Sequence, residues 1–123
     1  MRIISFARQH AFLLPILLLA AFLRTHDAGA EFFGGDDAYI SIKAIQIARY
    51  GETPLLGPPS SLGLVHSPLS VYLYAIPYLF SPDPRGAQVF TGLMNTVAVG
   101  VLYLIAHRYF GRWAAIVGSI LYA

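Results

Sequence analysis

Apolar and polar residues follow one another in long blocks along this chain. The apolar blocks predict membrane helices at roughly 5–23, 65–80, 87–106 and 113–123, and a mostly polar loop covers 24–64. A helix that crosses the hydrocarbon core needs about 20 residues, and the last block holds only about half of that number. We therefore predict an all-α, multi-pass membrane protein with three spans and a truncated fourth, and we expect the chain to be the N-terminal part of a longer protein.

Two other interpretations of these blocks stay open. The basic start, the apolar core and Ala28-Gly29-Ala30 together resemble a cleavable signal peptide. Arg24, His26 and Asp27 lie between that core and the cleavage-like site, which argues against cleavage. The last block also fits a short re-entrant or interfacial ending.

One segment of the polar loop has the period of a helix. Between positions 37 and 50, apolar residues recur on one side, and Lys43, Gln46 and Arg49 fall on the other. Asp36 is predicted to be the N-cap, and Gly51 is predicted to end the helix. We expect this amphipathic helix to lie at the membrane interface, with its apolar side toward lipid or a neighbouring helix.

The composition supports the membrane class. Hydrophobic residues make up 57% of the chain and charged residues 11%, against about 45–50% and about 25% in ordinary soluble domains. Cysteine is absent, which excludes disulfides and thiolate metal sites. The net charge of +2 is too small and too scattered to indicate a nucleic-acid partner.

The charges give an incomplete signal for orientation. Arg2 and Arg8 before the first apolar block favour a cytoplasmic N-terminus, which places the loop at 24–64 on the extracytoplasmic side. That topology also places Arg108 and Arg112 outside, against the positive-inside rule. We follow the first-helix signal and predict a cell-membrane location.

The candidate catalytic residues are Asp36 and Asp37, which follow Gly34-Gly35 at the start of the amphipathic helix. A carboxylate held at a membrane surface can act as a general base toward an acceptor hydroxyl. The structural alternative is that Asp36 caps the helix and Asp37 stabilises its first turn. The two roles are compatible, because a capping carboxylate is held rigidly.

Three further residues are candidates for substrate binding. His66, Lys43 and Arg49 could contact a phosphate or a sugar, although boundary histidines and helix cations more commonly face headgroups or water. The sequence contains no zinc-ligand spacing, phosphate-binding glycine loop or serine-nucleophile elbow.

The order of these parts resembles a known family. An apolar span is followed by Gly35-Asp36-Asp37, by an amphipathic helix ending in Tyr-Gly-Glu-Thr-Pro, by a loop closing at His66-Ser67-Pro68-Leu69, and by two spans around a short turn. This arrangement resembles the N-terminal portion of the GT-C membrane glycosyltransferases. The most similar group is glycosyltransferase family 39, which includes protein O-mannosyltransferases and the lipid A aminoarabinose transferase.

The resemblance implies a function and assigns residues to it. Such enzymes transfer a sugar from a polyprenyl-phosphate donor to an acceptor glycan, lipid or protein on the non-cytoplasmic face. Their paired acidic residues match Asp36 and Asp37, and their boundary motif, commonly His-Pro-Pro-Leu or Lys-Pro-Pro-Leu, matches residues 66–69. Ser67 departs from that motif, and the Lys with which some relatives bind phosphate is absent here. Some relatives bind a divalent metal ion, so a metal cofactor stays open.

The rival functions are non-enzymatic. A transporter or flippase segment would place ionisable residues inside its spans near the midplane, whereas here the charges gather in the loop. A small assembly protein that is complete at 123 residues is the other rival.

Overall fold

The fold is entirely helical in the part of the chain that is described. The computed structural model describes residues 10–30, 34–60 and 62–123. Within these ranges the chain forms helices and no strand, which confirms the predicted all-α class. The helices are α1 (Leu13–Thr25), α2 (Gly35–Tyr50), α3 (Leu69–Tyr78), α4 (Pro84–Phe110) and α5 (Arg112–Tyr122).

Helix α4 has the dimensions of a membrane span. Its 27 residues extend about 40 Å at 1.5 Å per residue, and its most apolar window has a mean hydropathy of 1.9. Among the described residues it is the one helix that is both long enough and apolar enough to cross a bilayer. Helices α1, α3 and α5 cover the other predicted blocks with 13, 10 and 11 residues. The part of the first block before residue 10 lies outside the described residues.

The ends of α4 differ from the predicted range of 87–106. The helix begins at Pro84, where the missing N–H of proline costs nothing, and the Asp83 carboxylate accepts a hydrogen bond from the Arg85 N–H at 2.9 Å. It continues through His107 and Arg108 to Phe110, so the predicted end at residue 106 is four residues short. The break falls at Gly111, whose φ of 86° suits glycine alone among common residues.

The chain divides into two compact units, and α4 runs through both. The unit from Gly29 to Phe90 contains α2, α3 and the start of α4. Its core is formed where α2 packs on α3, with small side chains at the centre of the contact. Its buried apolar residues are Ala44, Val71, Ala75, Tyr78 and Ala87.

The second unit contains α1, α4 from Thr91 onward and α5. The Arg24 guanidinium donates a hydrogen bond to the Tyr122 carbonyl and lies 5.2 Å from the centroid of the Tyr122 ring. These contacts join the C-terminal end of α1 to the C-terminal end of α5. The buried apolar residues of this unit are Ile16, Ala20, Val99, Tyr103, Ala115 and Ile116.

Two glycines of α4 allow α1 to approach closely. A Cβ atom on Gly92 would lie 2.5 Å from the Arg24 carbonyl oxygen, and one on Gly100 would lie 3.3 Å from a methyl carbon of Leu17. Small residues at such positions let helix backbones pack together in membranes. Gly92 is the more tightly constrained of the two.

We expect Gly92→Ala to destabilise the unit formed by α1, α4 and α5. The added methyl group meets backbone that cannot easily yield, and overpacking of this kind costs about 1–3 kcal/mol. Gly118→Ala is the matched control, because Gly118 is also helical and has nothing within 4 Å of its Cβ position. Thermal unfolding followed by circular dichroism in detergent should show a lower midpoint for Gly92→Ala only. Equal midpoints for the two variants would contradict the close approach.

Candidate active site

The carboxylate pair lies in the first turn of α2. The helix begins at Gly35, and Gly34, with φ −79° and ψ 177°, is the N-cap residue. The predicted N-cap, Asp36, is therefore wrong by two residues. Glycine is accepted at this position, and no side-chain hydrogen bond caps the helix from it.

Asp37 bonds back to the N-cap residue. Its Oδ2 accepts a hydrogen bond from the Gly34 backbone N–H at 3.1 Å. This is the reciprocal half of a capping box, in which the third helical residue reaches back to the N-cap. The contact fixes the Asp37 side chain against the backbone and satisfies one N–H that the helix leaves without an internal partner.

Asp36 forms no such hydrogen bond with the described residues. Its side chain is exposed, and it forms no hydrogen bond or ion pair with any residue of the described part of the chain. The positive end of the helix dipole favours a negative charge in this turn. The two adjacent acids therefore differ in role, since Asp37 holds the helix start and Asp36 presents a carboxylate to its surroundings.

The packing of α2 holds this turn in place. Ser41 lies one turn beyond Asp37 and is buried, and Ala44 follows as the fully buried centre of the contact with α3. The partly buried Ile45, Ile47 and Ala48 extend the same contact. The apolar side predicted for this helix therefore packs against a neighbouring helix, and the acidic turn projects from a fixed scaffold.

The cations of α2 lie at different distances from the acids. Lys43 is half-buried and follows Asp36 by two turns, which is about 10 Å along the axis at 1.5 Å per residue. Arg49 is exposed in the last turn, about 20 Å from Asp36 along the same axis. Within the described residues neither cation pairs with Asp36 or Asp37. Lys43 is thus the better placed of the two to share a ligand with Asp36.

His66 lies at the base of the connection between α2 and α3. Its backbone N–H donates to the Pro58 carbonyl and its carbonyl accepts from the Gly57 N–H, both at 3.0 Å. The side chain is exposed and contacts neither acid by a hydrogen bond among the described residues. The structure therefore fixes the backbone of His66 but does not bring its imidazole into one site with the carboxylates.

A second polar cluster, in the other unit, was not predicted. The His10 and His107 rings lie 4.6 Å apart between centroids, and the Tyr103 ring lies 5.9 Å from each of them. The Tyr103 hydroxyl is buried without a hydrogen-bond partner among the described residues. The spacing of Tyr103 and His107, four positions apart on one helix, was a usable signal. The approach of His10 had no signal in the sequence.

No group of three or more potential metal-ligating side chains occurs among the residues that the structure describes. The candidate residues Asp36, Asp37 and His66 do not form such a group. The question of a divalent metal ion therefore gains no support from the described ligands.

Comparison with known proteins gave no relative: no family model, no curated protein and no solved structure matches this chain. The resemblance to GT-C glycosyltransferases thus rests on the residues quoted above.

We expect Asp37→Ala to weaken the fold more than Asp36→Ala. Both variants lose a charge at the helix N-terminus, but only the first loses the hydrogen bond to Gly34, and loss of such a cap costs about 1 kcal/mol. Chemical denaturation monitored by circular dichroism measures the difference directly. A free energy of unfolding that is lower for Asp36→Ala would contradict this division of roles.

Proposed function

We propose that this chain is part of a membrane glycosyltransferase that takes a sugar from a polyprenyl-phosphate donor. The observation that carries the proposal is one helical turn on which Asp37 bonds back to Gly34, while the exposed Asp36 forms no hydrogen bond or ion pair with any described residue. A catalytic carboxylate must be held in position and must still be free to bind a substrate hydroxyl. The backbone of Asp36 lies on the turn that Asp37 holds through its bond to Gly34, and the Asp36 carboxylate is exposed.

The proposed reaction assigns one step to Asp36. Its carboxylate accepts the proton of the acceptor hydroxyl as the hydroxyl oxygen attacks the anomeric carbon of the sugar. The bond between the anomeric carbon and the phosphate oxygen breaks, and its electron pair leaves with the prenyl phosphate. Attack opposite to the leaving group inverts the configuration at that carbon.

The leaving phosphate needs positive charge nearby. Lys43 is the cation of α2 nearest to Asp36 along the helix, so we assign to it the contact with the donor phosphate. Arg49 and His66 are assigned more distant contacts with the donor or the acceptor, because each is exposed at another point of the same unit. The proposal uses no metal ion.

A membrane setting suits a donor with a long prenyl tail. Helix α4 is long and apolar enough to cross a bilayer, which supports a membrane location for the chain. We extend this to a multi-pass arrangement in which the N-terminus is cytoplasmic and residues 24–64 face the extracytoplasmic side. In that arrangement the sugar, the acceptor hydroxyl and Asp36 meet outside the hydrocarbon core while the prenyl chain stays in lipid.

The test is sugar transfer by the complete gene product with labelled prenyl-linked donors. We expect Asp36→Asn to abolish transfer, with a loss of roughly a hundredfold or more, because general-base assistance contributes about 10²–10⁴ in rate. Asn keeps the size of the side chain but cannot take the proton.

Asp37→Asn is the matched control. Its amide oxygen can still accept the hydrogen bond from Gly34, so transfer should persist near the level of the unaltered protein. Membrane abundance and the unfolding midpoint should be the same for both variants. Transfer at the unaltered level by Asp36→Asn, at normal abundance, would refute the proposed role.

A further inference from the structure

The connection between α2 and α3 contains a small hairpin-like pairing, which we call the leucine hairpin and define as the described residues 57–60 and 62–66. Pro59 and Val65 pair as an antiparallel bridge. The Gly57 N–H donates to the His66 carbonyl and the His66 N–H to the Pro58 carbonyl, both at 3.0 Å. The sequence predicts only a mostly polar loop up to residue 64, so this pairing of described residues is a finding of the structure.

Several backbone N–H groups of the leucine hairpin donate hydrogen bonds within it. The Ser60 N–H donates to the Leu64 carbonyl at 2.7 Å, and the Gly63 N–H donates to the Ser60 carbonyl at 3.0 Å. The Ser60 hydroxyl oxygen accepts from the N–H groups of Leu62 and Leu64 at 3.3 and 3.2 Å. Pro58 and Pro59 have no N–H to satisfy. A segment of this kind can move from water into lipid while few of its backbone N–H groups lose a hydrogen-bond partner. Burial of such groups without partners is costly.

The same turn exposes large apolar side chains. Leu62 is 85% exposed and Leu64 is 69% exposed, and Leu55 and Leu56 just before the hairpin are 88% and 69% exposed. Single exposed leucines are ordinary on a protein surface, but a group of them marks an interaction site. Leu62 and Leu64 lie in the hairpin, where their backbone N–H groups bond the Ser60 hydroxyl oxygen.

No charged residue accompanies these leucines. Between Glu52 and Asp83 the sequence has no Asp, Glu, Lys or Arg. A soluble stretch of that length would carry about seven, at the usual one residue in four. Charged residues are common in soluble proteins, whereas burying an unpaired charge in an apolar environment is costly.

We propose that the leucine hairpin inserts into the outer layer of a lipid bilayer, with Leu62 and Leu64 among the acyl chains. The insertion anchors the loop that follows α2 at the membrane surface. It goes beyond the proposed function, because it requires neither a sugar donor nor catalysis.

The chemistry favours lipid over a protein partner. Protein interfaces concentrate their binding energy in Trp, Tyr and Arg, and leucine is under-represented among such residues. Positions 55–66 contain none of those three residue types. Leucine without a charged rim suits the acyl boundary of a bilayer, where binding grows with the apolar area buried.

The absence of cysteine makes a site-specific test direct. The full 123-residue chain carrying Leu62→Cys is labelled with an environment-sensitive nitrobenzoxadiazole probe and reconstituted into phosphatidylcholine bilayers. Glu52→Cys is the matched control, because Glu52 is exposed in the same connection and precedes the charge-free stretch. Residues 52 and 62 are both exposed. The unfolding midpoints of the two variants verify that each protein is folded.

We expect the probe at position 62 to emit at shorter wavelength than at position 52. Lipids that carry a nitroxide on the acyl chain should quench it roughly twofold or more strongly than the control, because only acyl-buried probes meet the nitroxide. Adding Gly57→Ala to Leu62→Cys should reduce this quenching, since a Cβ there would lie 2.4 Å from the Ser67 carbonyl oxygen and disturb the base of the hairpin.

Three results would overturn the proposal. One is a probe at position 62 with a water-like spectrum and no quenching. Another is a blue shift that depends on protein concentration and not on nitroxide lipid, which would assign the leucines to a contact between copies of the chain. The third is quenching that Gly57→Ala leaves unchanged, because the insertion would then not depend on the hairpin.

Discussion

The packing of α2 against α3 is the contact on which the rest of the candidate site depends. Ala44 and Ala75 are small enough to let the two helices meet closely, and Val71 and Tyr78 fill the space beside them. The acidic turn projects from the N-terminal end of α2, and the leucine hairpin connects the other end of α2 to α3. Both features are therefore positioned by one helix pair, and loosening that pair would release both.

The division of labour between Asp36 and Asp37 follows from where the helix starts. With Gly34 as the N-cap, no side chain is available at that position to bond the helix, and the third helical residue reaches back instead. The acid in between is then left with its carboxylate exposed.

Sequence patterns predicted the all-α class and the general positions of the helices, because long apolar blocks and a period near 3.6 are local signals. Features set by non-local or backbone hydrogen bonds were missed. The hairpin depends on Ser60 bonding two later N–H groups, and the ring cluster depends on His10 reaching a helix some ninety positions away. The start of α2 was misplaced because glycine at an N-cap gives no side-chain signal.

We propose that Asp36 faces the compartment opposite the cytoplasm, at the membrane surface, where a prenyl-linked sugar can reach it. The most direct measurement is thiol labelling of an Asp36→Cys variant in intact cells with a membrane-impermeant maleimide, since the chain has no other cysteine. We expect the maleimide to react with the Asp36→Cys variant before the cells are permeabilised. Labelling only after permeabilisation, or none until the protein is unfolded, would contradict it.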